Sequence, residues 1–444
     1  MRRIALALLA VSPLLACSDP EHVVVTITTG QETDAFTLDP PIERVDIVAL
    51  DENGGTVSQT SAAPGEEFSL GEISVDQFLR FEVTGYDAAG DVQLSGQSLG
   101  LVLGALESDV FAVFAQRLER WSRPPGGLEH SHRAGIADVL AERYLLLTGG
   151  EGLGEAGAAE SAFYDLLALE GAVGGTFSLT PSSLVVAQTA TDLLVLDGER
   201  AYWLDFASNT SIQVTSPPTG IGSWSQVAGG ATVIGEDATF VVGPTRLGEP
   251  TNRVLRILAD GTLEAITLNQ ARAGAAVAYV PDVGLAIAGG ATEGPGVEVV
   301  RDGDAQATAL DFEALPIVGA AGVVGTQSRE LLVLCGGNPV ALDLGCSADC
   351  QPREVSLAVD PDLTSCRAFA SEGGRLVLVG TRASDGLMTS FSIAPASDEV
   401  TELPFREPRR GAALTPAPDG TLALLGGELP DGSPALSVEL LRLR

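Results

Sequence analysis

The sequence predicts an all-β chain in which seven four-stranded sheets close into a ring, a β-propeller, behind a smaller β-domain. Three observations carry this. The first is an apolar strand ending in glycine, Val283-Gly-Leu-Ala-Ile-Ala-Gly-Gly290, which recurs as Tyr144-Leu-Leu-Leu-Thr-Gly-Gly150, Leu331-Leu-Val-Leu-Cys-Gly-Gly337 and Leu422-Ala-Leu-Leu-Gly-Gly427. Weaker copies end at Gly198, Gly243 and Gly380, so the last glycines (150, 198, 243, 290, 337, 380, 427) are spaced by 48, 45, 47, 47, 43 and 47 residues. A period in the mid-forties is that of a four-stranded propeller blade. The second is that these runs are continuously apolar rather than alternating, as strands covered on both faces are. The third is a small-residue strand before each run, such as Arg272-Ala-Gly-Ala-Ala-Val-Ala-Tyr279, joined to it by a turn carrying Pro or Asp.

The totals set bounds. A chain of 444 residues holds two or three domains. With 45% hydrophobic and 19% charged residues it is globular, not disordered. All 25 basic residues are arginine, which excludes a P-loop lysine, a Schiff-base lysine and a Ser–Lys dyad. The formal charge of −34 disfavours nucleic acid and anionic headgroups as partners.

Taken in order, Arg2-Arg3, the apolar stretch Ile4 to Val11 and Leu14-Leu-Ala-Cys17 read as a signal peptide, too short to span a bilayer. The last four residues resemble the lipobox of bacterial lipoproteins. That resemblance implies a signal peptide of residues 1–16, diacylation of Cys17 as the new N-terminus and, with Ser18 following, export to the outer membrane, facing the periplasm or the cell surface.

Residues 17–108 are expected to form the tether and a small immunoglobulin-like β-sandwich. Its strands are His22-Val-Val-Val-Thr-Ile-Thr-Thr29, Glu43 to Leu50 and Phe78 to Tyr86, with Asp51-Glu-Asn-Gly-Gly55 and Asp87-Ala-Ala-Gly-Asp91 as hairpin turns. The propeller is expected over 109–444. Its last unit ends at the third strand, Leu436 to Arg444, so Asp109 to Trp121 is predicted to supply the missing fourth strand and close the ring.

The repeat resembles that of kelch propellers, whose pattern is an Arg-x-Gly-small-small strand followed by an apolar strand ending in Gly-Gly. Arg133-Ala-Gly135, Arg272-Ala-Gly274 and Arg410-Gly-Ala-Ala413 match the first part, 17, 18 and 17 residues before Gly150, Gly290 and Gly427. The resemblance covers roughly residues 110 to 444. It departs from the family in lacking most of the spaced Tyr and Trp.

Four cysteines follow Cys17: Cys335, Cys346, Cys350 and Cys366. An even count in an exported chain argues for disulfides, with three pairings open. Cys346–Cys350, closing a polar loop, and Cys335–Cys366, joining neighbouring repeats, are favoured. A four-cysteine zinc site is the rival, but the spacing lacks Cys-x-x-Cys knuckles.

Other motifs weigh less. Glu129-His-Ser-His132 offers two imidazoles but no third ligand, since the remaining His22 lies in another domain. Gly152-Leu-Gly-Glu-Ala-Gly157 lacks a following βαβ unit, although Ala158 to Leu169 has some helical character. Gly96-Gln-Ser-Leu-Gly100 has no strand-to-helix elbow, and Tyr202-Trp-Leu-Asp205 reads as a third strand. Arg301-Asp-Gly-Asp304 lacks a calcium-loop ladder.

No metal or other cofactor is implied. The chain reads as a non-enzymatic, membrane-anchored binding or scaffold protein whose partner is a protein or glycan of the cell envelope. Its working surface is expected at one rim of the propeller, from the loops Glu151–Glu160, Ala291–Gly296, Asn338–Arg353, Thr381–Leu387 and Glu428–Pro434. The alternative is a carbohydrate-active lyase or hydrolase with a carboxylate/Arg site in the channel, with Arg272 or Arg410 facing it.

Overall fold

A computed structural model describes residues 24–443 except 67–69, 71–72, 75, 107–109, 155–159, 177–183, 189–192, 206–209, 245–248, 316–321, 325–328, 336–337, 357–362, 372–373, 395–396 and 398. The signal segment, His22, Cys17 and the Gly336-Gly337 pair lie outside the described residues.

Seven four-stranded antiparallel sheets form the ring. Blades 1 to 6 run from Ile136–Leu140 to Glu170–Thr176, Leu184–Gln188 to Thr210–Val214, Gly230–Ile234 to Leu263–Arg272, Ala276–Val280 to Thr308–Leu310, Gly322–Val324 to Arg353–Glu354 and Leu363–Ala370 to Glu399–Glu402. Blade 7 joins Ala413–Pro416, Leu422–Leu425 and Glu439–Leu441 to Trp121–Ser122. The first strand of each blade lies innermost, beside the first strands of its neighbours. Each second strand is buried on both faces, as Leu145 to Leu147, Leu193 to Leu196, Leu285 to Ala288 and Leu376 to Val379 are. Continuous apolar sequence is the consequence of that double burial.

The glycine pair ending the second strand has a steric cause. Gly427 adopts φ +90°, and a Cβ there would lie 2.7 Å from the Arg410 carbonyl oxygen and 3.0 Å from the Ala412 nitrogen. The chain entering the blade therefore passes too close for any side chain.

Two expectations about the N-terminal part change. Ring closure is made by Trp121–Ser122 alone, pairing with Leu441 and Leu440. Val110–Arg117, expected in the same closing strand, instead pairs parallel with Val24–Thr28 and antiparallel with Val92–Gln97. The N-terminal strands form one seven-stranded hydrogen-bonded order, not the two separate sheets of a sandwich. Residues 118–120 divide the span because Glu119 turns at φ +58°, which breaks the extended run between the two sheets. One face of the N-terminal sheet carries its core, with Val45, Ile47, Ala49, Leu79, Phe81, Val83, Leu94, Phe111 and Val113 clustered in strict alternation.

The N-terminal sheet is fastened to the ring. Phe114, on the opposite face of its strand, joins a cluster with Leu128, Leu145 and Leu169 of the propeller. Buried Glu32 accepts from Arg123 Nε at 3.1 Å and lies 3.6 Å from Arg406, while Gln31 N donates to the Arg123 carbonyl. Gly30 makes this approach possible, since a Cβ there would fall 2.2 Å from the Arg123 carbonyl oxygen.

Cys335 is bonded to Cys366 and Cys346 to Cys350. The first ties the end of the second strand of blade 5 to the innermost strand of blade 6. The second closes the loop between the third and fourth strands of blade 5, which also bridges to Phe312 after blade 4.

Candidate functional site

Arginine placement corrects the reading of the repeat. Arg272 is fully buried and does not face the channel. It donates through Nε and Nη2 to Glu298 at 3.0 and 2.9 Å and through Nη1 to the Gly289 carbonyl. In blade 7 the same role falls to Arg409, which donates to Glu439 at 2.6 Å and to the Gly426 and Ser437 carbonyls. Arg410 is one residue further on, at the surface, donating to the Asp385 carbonyl. Each buried pair therefore staples the chain entering a blade to the third strand of that blade. The unequal spacing of 17, 18 and 17 residues already carried this one-residue offset.

Blade 1 has the slot without the staple. A Cβ at Gly150 would meet Arg133 O just as one at Gly290 would meet Ala273 O and one at Gly427 Arg410 O, so His132 occupies the place of Arg272 and Arg409. The partner position is also altered: Glu298 and Glu439 pair across from Ile287 and Leu424, whereas Ala162 pairs across from the corresponding Leu147. His132 is completely buried and neither ring nitrogen has a hydrogen-bond partner. The backbone of Gly149 and Glu160 approaches the ring without closing a hydrogen bond, and burial pushes its pKa below the ordinary 6.5. The unfolded chain thus takes up a proton at a higher pH than the folded one, and stability falls as pH drops below about 6.5, by at most about 1.4 kcal/mol per pH unit. His132→Leu is expected to remove that part of the acid slope, measured as the urea midpoint between pH 7.5 and 5.

His130 does not join His132 at a common site. It lies 3.8 Å from Glu160 at a half-buried position. Among the described residues no group of three or more His, Cys, Asp or Glu is gathered. Ser98 is a structural hydroxyl, accepting from Phe81 N and donating to the Leu99 carbonyl. The stretch with helical character contains the strand Glu160–Asp165, and Tyr202 to Asp205 belongs to the third strand of blade 2. Asp302 accepts from the Tyr279 hydroxyl at 2.9 Å.

Two places gather polar groups that the staples do not use. The first is the channel. Asp138 lies on the innermost strand of blade 1 and Arg367 on that of blade 6. Arg367 Nη1 donates to the Leu414 carbonyl of blade 7 at 2.8 Å, and its guanidinium stands 5.5 Å from the Phe369 ring. Arg367 is exposed to solvent and Asp138 half-buried, yet protein surrounds both within the ring of innermost strands. Burial raises the Asp138 carboxyl to about 6, against the opposing pull of the Val139 amide and the Arg367 charge. Burial likewise lowers Arg367, and Asp138 counteracts it. Sequence reading missed both. The signal was a lone charge within each small-residue first strand, Ile136-Ala-Asp-Val-Leu140 and Ser365-Cys-Arg-Ala368.

The second is a rim. Because neighbouring strands alternate in direction, the connections between second and third strands leave from one end of the ring and those between third and fourth strands from the other. Asn338–Arg353 therefore divides: it contains the third strand Val340–Asp343, and its disulfide loop lies at the end opposite the other candidate loops. Three of those others converge. Arg133 bridges Glu151 and Glu428, the latter at 2.7 Å; Arg410 donates to the Asp385 carbonyl at 3.2 Å; and a Cβ at Gly154 would lie 3.3 Å from the Pro434 ring. Leu436, 44% exposed, adds an apolar spot on the loop that carries Glu428. Ala291–Gly296 sits at the same end on blade 4, where Pro295 and Gly296 carbonyls receive Arg272.

No family model matches the chain, and no curated protein matches it.

Proposed function

We propose that the protein is a non-enzymatic binding or scaffold lipoprotein of the cell envelope, anchored through an acylated Cys17 in the outer membrane. Its kelch-like propeller presents the rim of blades 6, 7 and 1 to a partner. The observation that carries this is the convergence there of three blade loops on a half-exposed charged network, Arg133 with Glu151 and Glu428, beside Leu436. An apolar spot ringed by charges suits protein recognition, with the charges setting specificity and encounter rate. Every described Tyr and Trp is buried or half-buried. Sugar rings are gripped mainly by open aromatic faces, so a protein partner is favoured over a glycan.

One observation supports the second reading, a carbohydrate-active lyase or hydrolase. The Asp138 carboxyl is raised to about 6 within reach of the Arg367 charge, where a general acid or base and an anion-binding donor would be needed.

The two separate in one experiment. Immobilised protein is exposed to envelope extract and to envelope glycans, with R133A/L436S and R367A variants alongside. Capture is expected to weaken about tenfold or more in the rim variant, a loss of about 1.4 kcal/mol, and to persist in R367A. Loss of capture only in R367A, or glycan cleavage abolished by Asp138→Asn, would move the function into the channel.

A further inference from the structure

Four of the large exposed hydrophobic residues lie together at one end of the N-terminal sheet. Val24 is 51% exposed, Val110 52%, Phe78 42% and Val102 36%. Val24 pairs with Val110 and Phe78 with Val102. The ladder that sets Leu94 opposite Arg117 and Gly96 opposite Ala115 runs toward Val110 on one strand and toward Leu101–Val102 on the other, so these lie at the same end of the sheet. The four therefore form a row across neighbouring strands, roughly 15 Å long at about 4.8 Å per strand.

They also share a face. Their chain neighbours Val25, Phe111, Leu79 and Leu101 all belong to the core on the other side. Strand alternation then places Val24, Val110, Phe78 and Val102 outward together. The propeller meets this face further along, from Ala112 to Phe114, beginning two residues or about 7 Å beyond Val110. Arg80 and Glu82, ion-paired at 3.2 Å, follow Phe78 on the same face and end the apolar row with charge. Scattered exposed hydrophobic residues need no explanation, but an aligned row does.

The position of the row relative to the chain identifies its occupant. Val24 is itself part of the row, and Cys17 lies seven residues before it in the chain. Seven residues reach at most about 25 Å. A chain anchored at Cys17 cannot carry this end of the sheet farther than that from the bilayer surface. We propose that the row of Val24, Phe78, Val102 and Val110 rests in the headgroup region of the membrane, with the Arg80–Glu82 pair at its water-facing border. The N-terminal sheet is then a foot that fixes the tilt of the propeller, in place of a free stalk. This rests on the lipoprotein reading. Apolar side chains seated among headgroups with charge just behind them are the arrangement of interfacial contact.

The test uses the full acylated protein in liposomes of phosphatidylethanolamine and phosphatidylglycerol, with and without bromine on the upper acyl carbons. Val102→Trp is compared with Ile234→Trp, at a 69% exposed position in blade 3. Emission from the added Trp of the Val102 variant is expected to fall about twofold or more in brominated liposomes, and that of the Ile234 variant to stay unchanged. Flotation with liposomes but equal emission from both would overturn the foot while leaving the anchor intact. Absence of acyl mass on Cys17 would remove the anchor, and the foot with it. A doubled mass in solution that Val110→Ser abolishes would assign the row to a second copy of the chain instead.

Discussion

Glu439→Ala is expected to destabilise the protein by about 3–5 kcal/mol, read as a fall in the urea midpoint. Both partners of the pair are fully buried, with Arg409 Nη2 2.6 Å from Glu439. Glu439 also accepts from the backbone amides of Arg406 and Glu407 at 2.8 and 2.9 Å. Burial raises the Glu439 pKa against the pull of Arg409 and those amides, and it lowers Arg409. Two groups that each resist charging on their own are thus held charged by one another. Truncating Glu439 leaves a guanidinium in the interior with only the Gly426 and Ser437 carbonyls, the Ser437 hydroxyl and Glu407 around it. Breaking a buried pair by removing one member is what carries the large penalty. Replacing both members should be far milder, so R409L/E439L is expected to recover most of the loss. A single-variant effect below about 1 kcal/mol would show that the staple does not hold the blade.

The second large effect is expected at the closure. Trp121→Ala should cost about 3–5 kcal/mol, the range for truncating a buried aromatic residue. Trp121 is 1% exposed and is half of a two-residue strand. Its Nε1 donates to Ser390 Oγ at 2.8 Å, its ring lies 4.9 Å from that of Phe405, and its carbonyl receives Arg406 Nε. It packs with Val377, Val379, Leu414 and Leu424 across blades 6 and 7. Loosening it frees the edge of Glu439–Leu441, and an open edge invites pairing with another chain. Light scattering during thermal unfolding should therefore rise earlier in Trp121→Ala than in wild type. Trp121→Phe keeps most of the packing and loses the hydrogen bond, so a loss of about 1 kcal/mol is expected there. Equal losses in the two variants would assign the contribution of Trp121 to its hydrogen bond with Ser390, not to packing.

Much of the fold was legible because its causes are local. A strand covered on both faces must be apolar throughout, and a crossing of two backbones admits only glycine. Leu422 to Gly427 writes both requirements into six residues, and the same close crossing recurs at Gly150 and Gly290. The ring closure was legible only in part. A third strand without a fourth called for a strand from before blade 1, but Val110–Arg117 and Trp121–Ser122 are both apolar β-sequence, and nothing local says which sheet each joins.

The site was much less legible. Arg272 and Arg410 looked equivalent by motif, yet one is buried in a staple and the other lies on the rim. One residue of register separates them, and in extended chain one residue reverses the direction of the side chain. His132 gave no sign of filling an arginine slot, because what defines the slot is the residue opposite Leu147, thirty positions away from it in sequence at Ala162. The charges of Asp138 and Arg367 come within reach of each other from blades 1 and 6 only when the ring closes.

By itself, then, the sequence determined the number of blades, the strand order within each and the crossing glycines of blades 1, 4 and 7, since these follow from burial and sterics within about forty-five residues. Tertiary structure alone decided which sheet Val110–Arg117 joins, which arginines are buried and which charges share the channel. Those outcomes depend on contacts between residues as far apart as Trp121 and Ser390, and pattern along the chain does not carry the distance between side chains that meet across a ring.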